Sequence, residues 1–132
     1  LIGELSMSVV WNDTSPIYLQ LKARIVAMIL DGLLKPGEAV PSVRQVAADF
    51  QLNPITVSRA YQELADEQLV EKRRGLGMFV TEDAPERLLA SERERFLTQE
   101  WPQIVERIVR LGLSWDSLRN QIDAARGKSG VE

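Results

Sequence analysis

Between residues 15 and 32 the apolar positions Ile17, Leu21, Ile25, Met28 and Ile29 recur near helical spacing and then stop at Asp31 and Gly32. Ser15 followed by Pro16 has the form of an N-cap and first helical residue, so this segment predicts an amphipathic helix. The next stretch, LLKPGEAVPS, holds two prolines and a glycine and reads as a tight connection. Ser42 with Gln45 three residues on has the form of a capping box. It opens a short helix through Phe50 with Val43, Val46, Ala47 and Phe50 as its apolar positions. After QLN, Asn53 caps and Pro54 starts a third helix that runs to about Glu67. Two helices joined by so short a turn cross steeply, as in a helix-turn-helix. Val70 and the run Met78 to Val80 then flank Gly75 and Gly77, which predicts two short strands and a glycine-bearing turn. Three helices followed by a hairpin is the element order of a winged helix-turn-helix.

Beyond Thr81 the pattern is helical only. APERLLASERERFLTQ reads as a charged helix with Leu88, Leu89, Phe96 and Leu97 on it, and Trp101, Ile104, Val105, Ile108 and Leu111 form a cleaner stripe that ends at Gly112. Ser114 caps a last helix with Trp115, Leu118, Ile122 and Ala125 at helical spacing. The fold class is therefore mainly α with a small β-hairpin, a winged helix-turn-helix domain followed by a helical dimerisation extension. The expected divisions are an N-terminal extension over 1–14, the winged domain over 15–82, the helical extension over 83–126 and a disordered tail over 127–132. LIGELSM has neither a basic start nor a long apolar core, so Met7 is read as the natural initiator, with residues 1–6 added ahead of it. The chain shows no internal repeat.

Composition removes several function classes. Cysteine and histidine are both absent from the 132 residues, which excludes disulfides, Cys/His metal sites, thiol nucleophiles and histidine bases together. No motif places a carboxylate pair or nucleophile, so no catalytic residue, metal or cofactor is expected. An apolar content of 45% can support a core, and no apolar run approaches the ~18 residues of a membrane span. A soluble, cytoplasmic protein that makes no use of a membrane is the expectation.

The net charge of -3 argues at first against a nucleic-acid partner, because phosphate contacts require Lys and Arg. Its distribution changes the picture. Residues 72–74 are three consecutive cations, and from 50 to 62 the charged side chain is Arg59 alone. On a helical wheel at about 100° per residue, Ala60, Tyr61 and Leu64 fall within about 60° of Val57 and form the core face. Ile55, Arg59, Gln62 and Asp66 lie opposite, with Thr56 and Ser58 on the flanks. A helix fits the major groove, where arginine reads guanine, glutamine reads adenine and an apolar group meets the thymine methyl. The same face also suits an ordinary surface helix, and Ile55 is either a methyl contact or an exposed residue with no role. Ser42 and Asn53 place helix N-termini, which attract phosphate, at one edge of the motif, although capping alone also explains them. Arg44 adds a charge there or makes a surface ion pair. Gly75 and Gly77 let a wing approach another surface closely, with Arg73 and Arg74 just before it, or they merely make the turn.

From Pro16 to Val80 the chain resembles the DNA-binding domain of the GntR family of bacterial transcription regulators. The likeness rests on SPIYLQLKARI, PGEAVPSVRQVA, LNPITVSRAYQEL and RRGLGMFV. It covers about half the chain. The resemblance implies that Arg44, Asn53, Thr56, Ser58, Arg59 and the wing at Gly75 to Gly77 approach DNA. Two positions depart from the family's pattern: Gln68 stands where glycine is common, and Leu76 is an apolar wing tip where polar residues are frequent. Glutamine disfavours the left-handed conformation that such a turn uses. The asparagine-proline start and SRAYQEL resemble the YtrA-like and MocR subfamilies. The short helical region after the wing resembles the YtrA-like type, in which it serves in dimerisation.

These readings converge on a homodimeric repressor that binds double-stranded DNA at a palindromic, inverted-repeat operator. Leu88, Leu89, Phe96, Trp101, Ile104, Val105, Ile108, Trp115, Leu118 and Ile122 are its expected dimerisation residues. Alternatives are a winged-helix protein-interaction module without DNA binding, a fragment of a larger MocR-like regulator, and tail helices that pack only on their own first domain. The sequence names no effector, operator or target gene.

Overall fold

In the computed structural model, which describes residues 11–129, the first amphipathic segment forms helix α1, Ile17–Leu30. Its start differs from the Ser15 cap: Pro16 occupies the N-cap and no side chain caps the helix. Gln20 ties the preceding segment to the helix instead. Its amide donates to the Ser15 and Asn12 carbonyls at 2.7 and 2.9 Å and accepts from the Asn12 N–H at 3.0 Å. Trp11 meets Phe50 edge-on at 6.3 Å, so the last part of the 1–14 extension docks on the fold. The reading of Met7 as initiator lies outside the described residues.

Helices α2, Val43–Phe50, and α3, Pro54–Asp66, form the expected helix-turn-helix. Each ends through a glutamine where glycine is the easier residue. Gln51 after α2 has φ 53°, and Gln68, two residues beyond α3, has φ 62°. The N–H of Leu52 donates to the Ala47 carbonyl and that of Leu69 to the Leu64 carbonyl, both at 2.9 Å, and Leu69 is buried. The turn at Gln68 thus keeps the left-handed geometry that its side chain disfavours, because two backbone bonds and a buried leucine hold it there.

Strands β1, Val70–Arg73, and β2, Gly77–Val80, pair antiparallel with Val70 opposite Val80 and Arg73 opposite Gly77. The connection that reads as a tight loop in the sequence supplies a partial third strand on the free edge of β2. Ala39 bridges Phe79, the Val40 N–H donates to Met78 at 2.8 Å, and the Val80 N–H donates to Glu38 at 2.9 Å. The core gathers Leu21 and Ile25 of α1, Val46 of α2, Val57, Ala60, Tyr61 and Leu64 of α3, and Val70 and Val80 of the hairpin.

Helix α4, Ala84–Arg95, begins on this core: Ala84 is fully buried and Leu88 packs against it. The first compact unit therefore runs to Ser91 rather than ending near residue 82. Leu88, one of the expected dimerisation residues, is half-buried against this first core. In the second unit, a π-helical stretch, Phe96–Glu100, precedes α5, Trp101–Leu111. Pro102 has no N–H to continue a regular ladder, and Thr98 turns its hydroxyl back to the Glu94 carbonyl at 2.8 Å, which together account for the wider turn. Gly112, at φ 67°, closes α5, and Ser114 accepts from the Ser117 N–H at 3.3 Å at the start of α6, Trp115–Ser129. Helix thus persists past 126 into the expected disordered tail, and residues 130–132 lie outside the described range.

Candidate nucleic-acid interface

Helix α3 divides as its wheel predicts. Val57, Ala60, Tyr61 and Leu64 are buried, Ile55 is 76% exposed, Ser58, Arg59 and Gln62 are exposed, and Thr56 is half-buried. Two of the acids that follow are turned aside, whereas Asp66 stays exposed on the same side as Gln62. Glu63 and Glu67 both pair with Lys22 of α1, the former at 3.2 Å, and Asp66 accepts from the Gln62 amide at 2.9 Å. Burial works against the charge on Lys22, but hydrogen bonds and charges from Glu67 and Glu63 outweigh it and raise its pKa. From Pro54 to Gln62 the exposed face is left with hydroxyls, an amide, a guanidinium and one apolar side chain, without a carboxylate.

The two helix starts differ in what they can offer an anion. At α3, Pro54 has no N–H, the Ile55 N–H donates to Asn53 Oδ1 at 2.9 Å, and the Thr56 and Val57 N–H groups donate to the Asn53 carbonyl. At α2, Ser42 Oγ accepts from the Gln45 N–H at 3.1 Å, and the Val46 N–H donates to the Ser42 carbonyl. The Val43 and Arg44 amides there have no partner among the described residues. Arg44 is exposed beside them. Fewer backbone N–H groups are engaged at the start of α2 than at the start of α3, where Asn53 acts as a cap.

Tyr61 joins these parts from below. Its hydroxyl donates to the Pro41 carbonyl at 2.5 Å, just ahead of α2, and burial pushes its phenol far above the ordinary range. The hairpin carries Arg73, Arg74, Gly75 and Gly77 at its exposed end. Gly75, at φ 76°, sits third in a turn closed by the Leu76 N–H on the Arg73 carbonyl at 2.9 Å, which calls for glycine. Leu76 at the tip is 70% exposed. Arg73 is held back, its guanidinium 4.3 Å above Phe79 and 3.4 Å from Glu71, whereas Arg74 makes no ion pair among the described residues. One contact of this face escapes a reading of the sequence: the Arg59 guanidinium lies 3.9 Å over the ring of Tyr18, on α1. The residues stand far apart in the chain, and no local pattern joins them.

In the second unit, α5 and α6 bring Trp101, Ile104, Ile108, Trp115, Leu118 and Ile122 together around an apolar groove of about 310 Å³. Phe96 and Val105 are exposed there as well, and Leu89 is exposed in the first unit.

Residues 17–80 match the family described as "Bacterial regulatory proteins, gntR family". The chain is 41% identical over 73 residues to the HTH-type transcriptional repressor YtrA of Bacillus subtilis (strain 168), a match that spans 55% of this chain and 56% of that relative. It is 34% identical over 109 residues to YhcF, an uncharacterized HTH-type transcriptional regulator of the same organism, across 82% of this chain and 88% of the relative. A crystal structure of a putative GntR-family regulator from Bacteroides thetaiotaomicron is similar with a TM-score of 0.68 and 29% identity, over 86% of this chain and 98% of that one. The DNA-binding domain of AraR in complex with an operator is similar with a TM-score of 0.50 and 25% identity, over 55% of this chain and 93% of that one.

Proposed function

The chain belongs to the GntR family of bacterial regulatory proteins, a family of transcription regulators and not of enzymes, and from that premise we propose that it is a sequence-specific DNA-binding repressor. The observation that carries this reading is the carboxylate-free, exposed N-terminal half of α3, set directly opposite the buried Val57, Ala60, Tyr61 and Leu64. The naming of YtrA as a repressor and the operator bound to the AraR domain support it.

In this reading α3 enters the major groove. Arg59 reads guanine, Gln62 exchanges Asp66 for a base edge, and Ile55 meets a thymine methyl, with Thr56 and Ser58 alongside. Val43, Arg44 and Ser42 at the start of α2 hold a phosphate, and Asn53 keeps α3 in place. The wing brings Arg74 and then Arg73 to the backbone or minor groove, where Gly75 and Gly77 permit close approach. Two copies join through the α5 and α6 stripe, so that their α3 helices meet successive major grooves of an inverted repeat. Such a protein works in the cytoplasm, beside the chromosome.

Fluorescence anisotropy with duplex DNA at several salt concentrations tests the reading. The wild type should bind with affinity that falls as salt rises, by about 0.9 in slope for each phosphate contact. Arg59→Ala should cost roughly 1–3 kcal/mol on the preferred sequence. Arg73→Ala with Arg74→Ala should weaken all sequences and flatten the slope. Salt-independent or absent binding would favour a winged-helix protein-interaction module, the reading that the near-neutral charge supports.

A further inference from the structure

We infer that Tyr18 is a positioning residue for Arg59, with Lys22 keeping a competing carboxylate away, so that the guanidinium is oriented toward a base before DNA arrives. The inference rests on the reading of α3 as a groove-reading helix. Its physical basis is a pair of rungs between α1 and α3. Tyr18 and Lys22 are four residues apart on one helix, Arg59 and Glu63 four apart on the other, and each faces its counterpart: ring under guanidinium at 3.9 Å, ammonium to carboxylate at 3.2 Å.

Without the second rung, the first would be at risk. Arg59 and Glu63 have the i, i+4 spacing at which a helix pairs opposite charges. A guanidinium drawn onto Glu63 would be partly neutralised and its donors occupied. Lys22 binds Glu63 and also Glu67, so the carboxylate one turn on from Arg59 is already engaged. Tyr18 instead offers Arg59 the face of a neutral ring. A stacked guanidinium keeps its full charge, and all five of its N–H donors lie in its own plane, at the edge rather than the face. A bidentate contact to guanine O6 and N7 uses that edge. The contact therefore restrains the guanidinium without placing its donors on a charged acceptor. Tyr18 is itself well anchored, half-buried and packed against the core.

The test uses the full chain and a duplex selected by the wild type from a random pool, with copies in which each guanine in turn is replaced by 7-deazaguanine, which lacks the N7 acceptor. The measured quantity is the ratio of affinities for the intact and substituted duplexes. At one guanine the wild type and Tyr18→Phe should show a ratio of about ten, and Arg59→Ala a ratio near one. Tyr18→Leu should fall most of the way toward one. Lys22→Met should also lower the ratio, and Lys22→Met with Glu63→Gln should restore it, which keeps the idea testable if Tyr18→Leu does not fold. A Tyr18→Leu protein that loses affinity equally for both duplexes, its ratio unchanged, would show a structural role and overturn the inference alone. If Arg59→Ala keeps the wild-type ratio at every guanine, Arg59 is not a reader, and the inference falls together with the reading beneath it.

Discussion

From Leu21 to Ala84 the winged unit encloses a continuous apolar core, whereas among residues 92–128 no side chain is buried, and Phe96, Val105, Trp115 and Ile122 stay exposed. Both regions carry apolar stripes at helical spacing. The first has α1, α3 and the hairpin to close over its stripes, and the second has two helices lining a groove that nothing in the described chain fills. A stripe supplies the material of a core, but burial requires a second surface. One unit folds on itself, and in the proposed dimer the other completes its core with a second copy.

The comparison predicts opposite responses to similar substitutions. Leu64→Ala in the winged core should lower stability by about 2–5 kcal/mol at every protein concentration, measured by urea unfolding. A cost that vanished on dilution would place that core at an interface instead. Ile108→Asp in the second unit should leave the winged unit's melting unchanged while converting dimers to monomers in sedimentation equilibrium, with operator affinity down by more than about tenfold. A wild type that is monomeric at all concentrations would remove the contrast.

Alkaline pH should separate the units further. Burial raises the pKa of Tyr61, so the folded winged unit retains a proton that the unfolded chain gives up near the ordinary phenol value of 10.0. Its contribution is whole below that pH and is lost as pH rises beyond it. Lys22, whose pKa is raised despite its burial by Glu67 and Glu63, acts in the same direction above its ordinary 10.5. Tyr61→Phe should cost about 1 kcal/mol at neutral pH, through loss of the bond to Pro41, and make the decline above pH 10 shallower. Equal alkaline slopes in both proteins would contradict this. The smallest effect should be a gain: Gln68→Gly relieves a left-handed glutamine and should stabilise the winged unit by roughly 1 kcal/mol in thermal melts. A loss of stability there would mean that the Gln68 side chain contributes more than its strain costs.

Local rules made much of the winged unit legible. Asn53 and Pro54 announce the start of α3, and the spacing of Val57, Ala60, Tyr61 and Leu64 gives its buried side without reference to the rest of the chain. What escaped was non-local. The bridge of Ala39 to Phe79 pairs a segment marked by proline and glycine with a strand forty residues away. Leu88 lies on a helix whose charge disguises that its first turns finish the winged core. The Gln20 side chain that holds Asn12 and Ser15 against α1 acts from within the helix, where cap rules do not look. On the candidate interface, the residue types and their shared face were readable, but their current partners were not. Tyr18, Asp66, Glu71 and Phe79 engage Arg59, Gln62 and Arg73 through contacts that only the folded chain brings together.

Selection of bound duplexes from a random pool tests both halves of the comparison at once, since it requires a reading surface from one unit and pairing by the other. The account predicts enrichment of a short sequence present twice in inverted orientation, its centres about one helical turn or a multiple apart. No enrichment, or a single unrepeated motif bound by one copy of the chain, would contradict it.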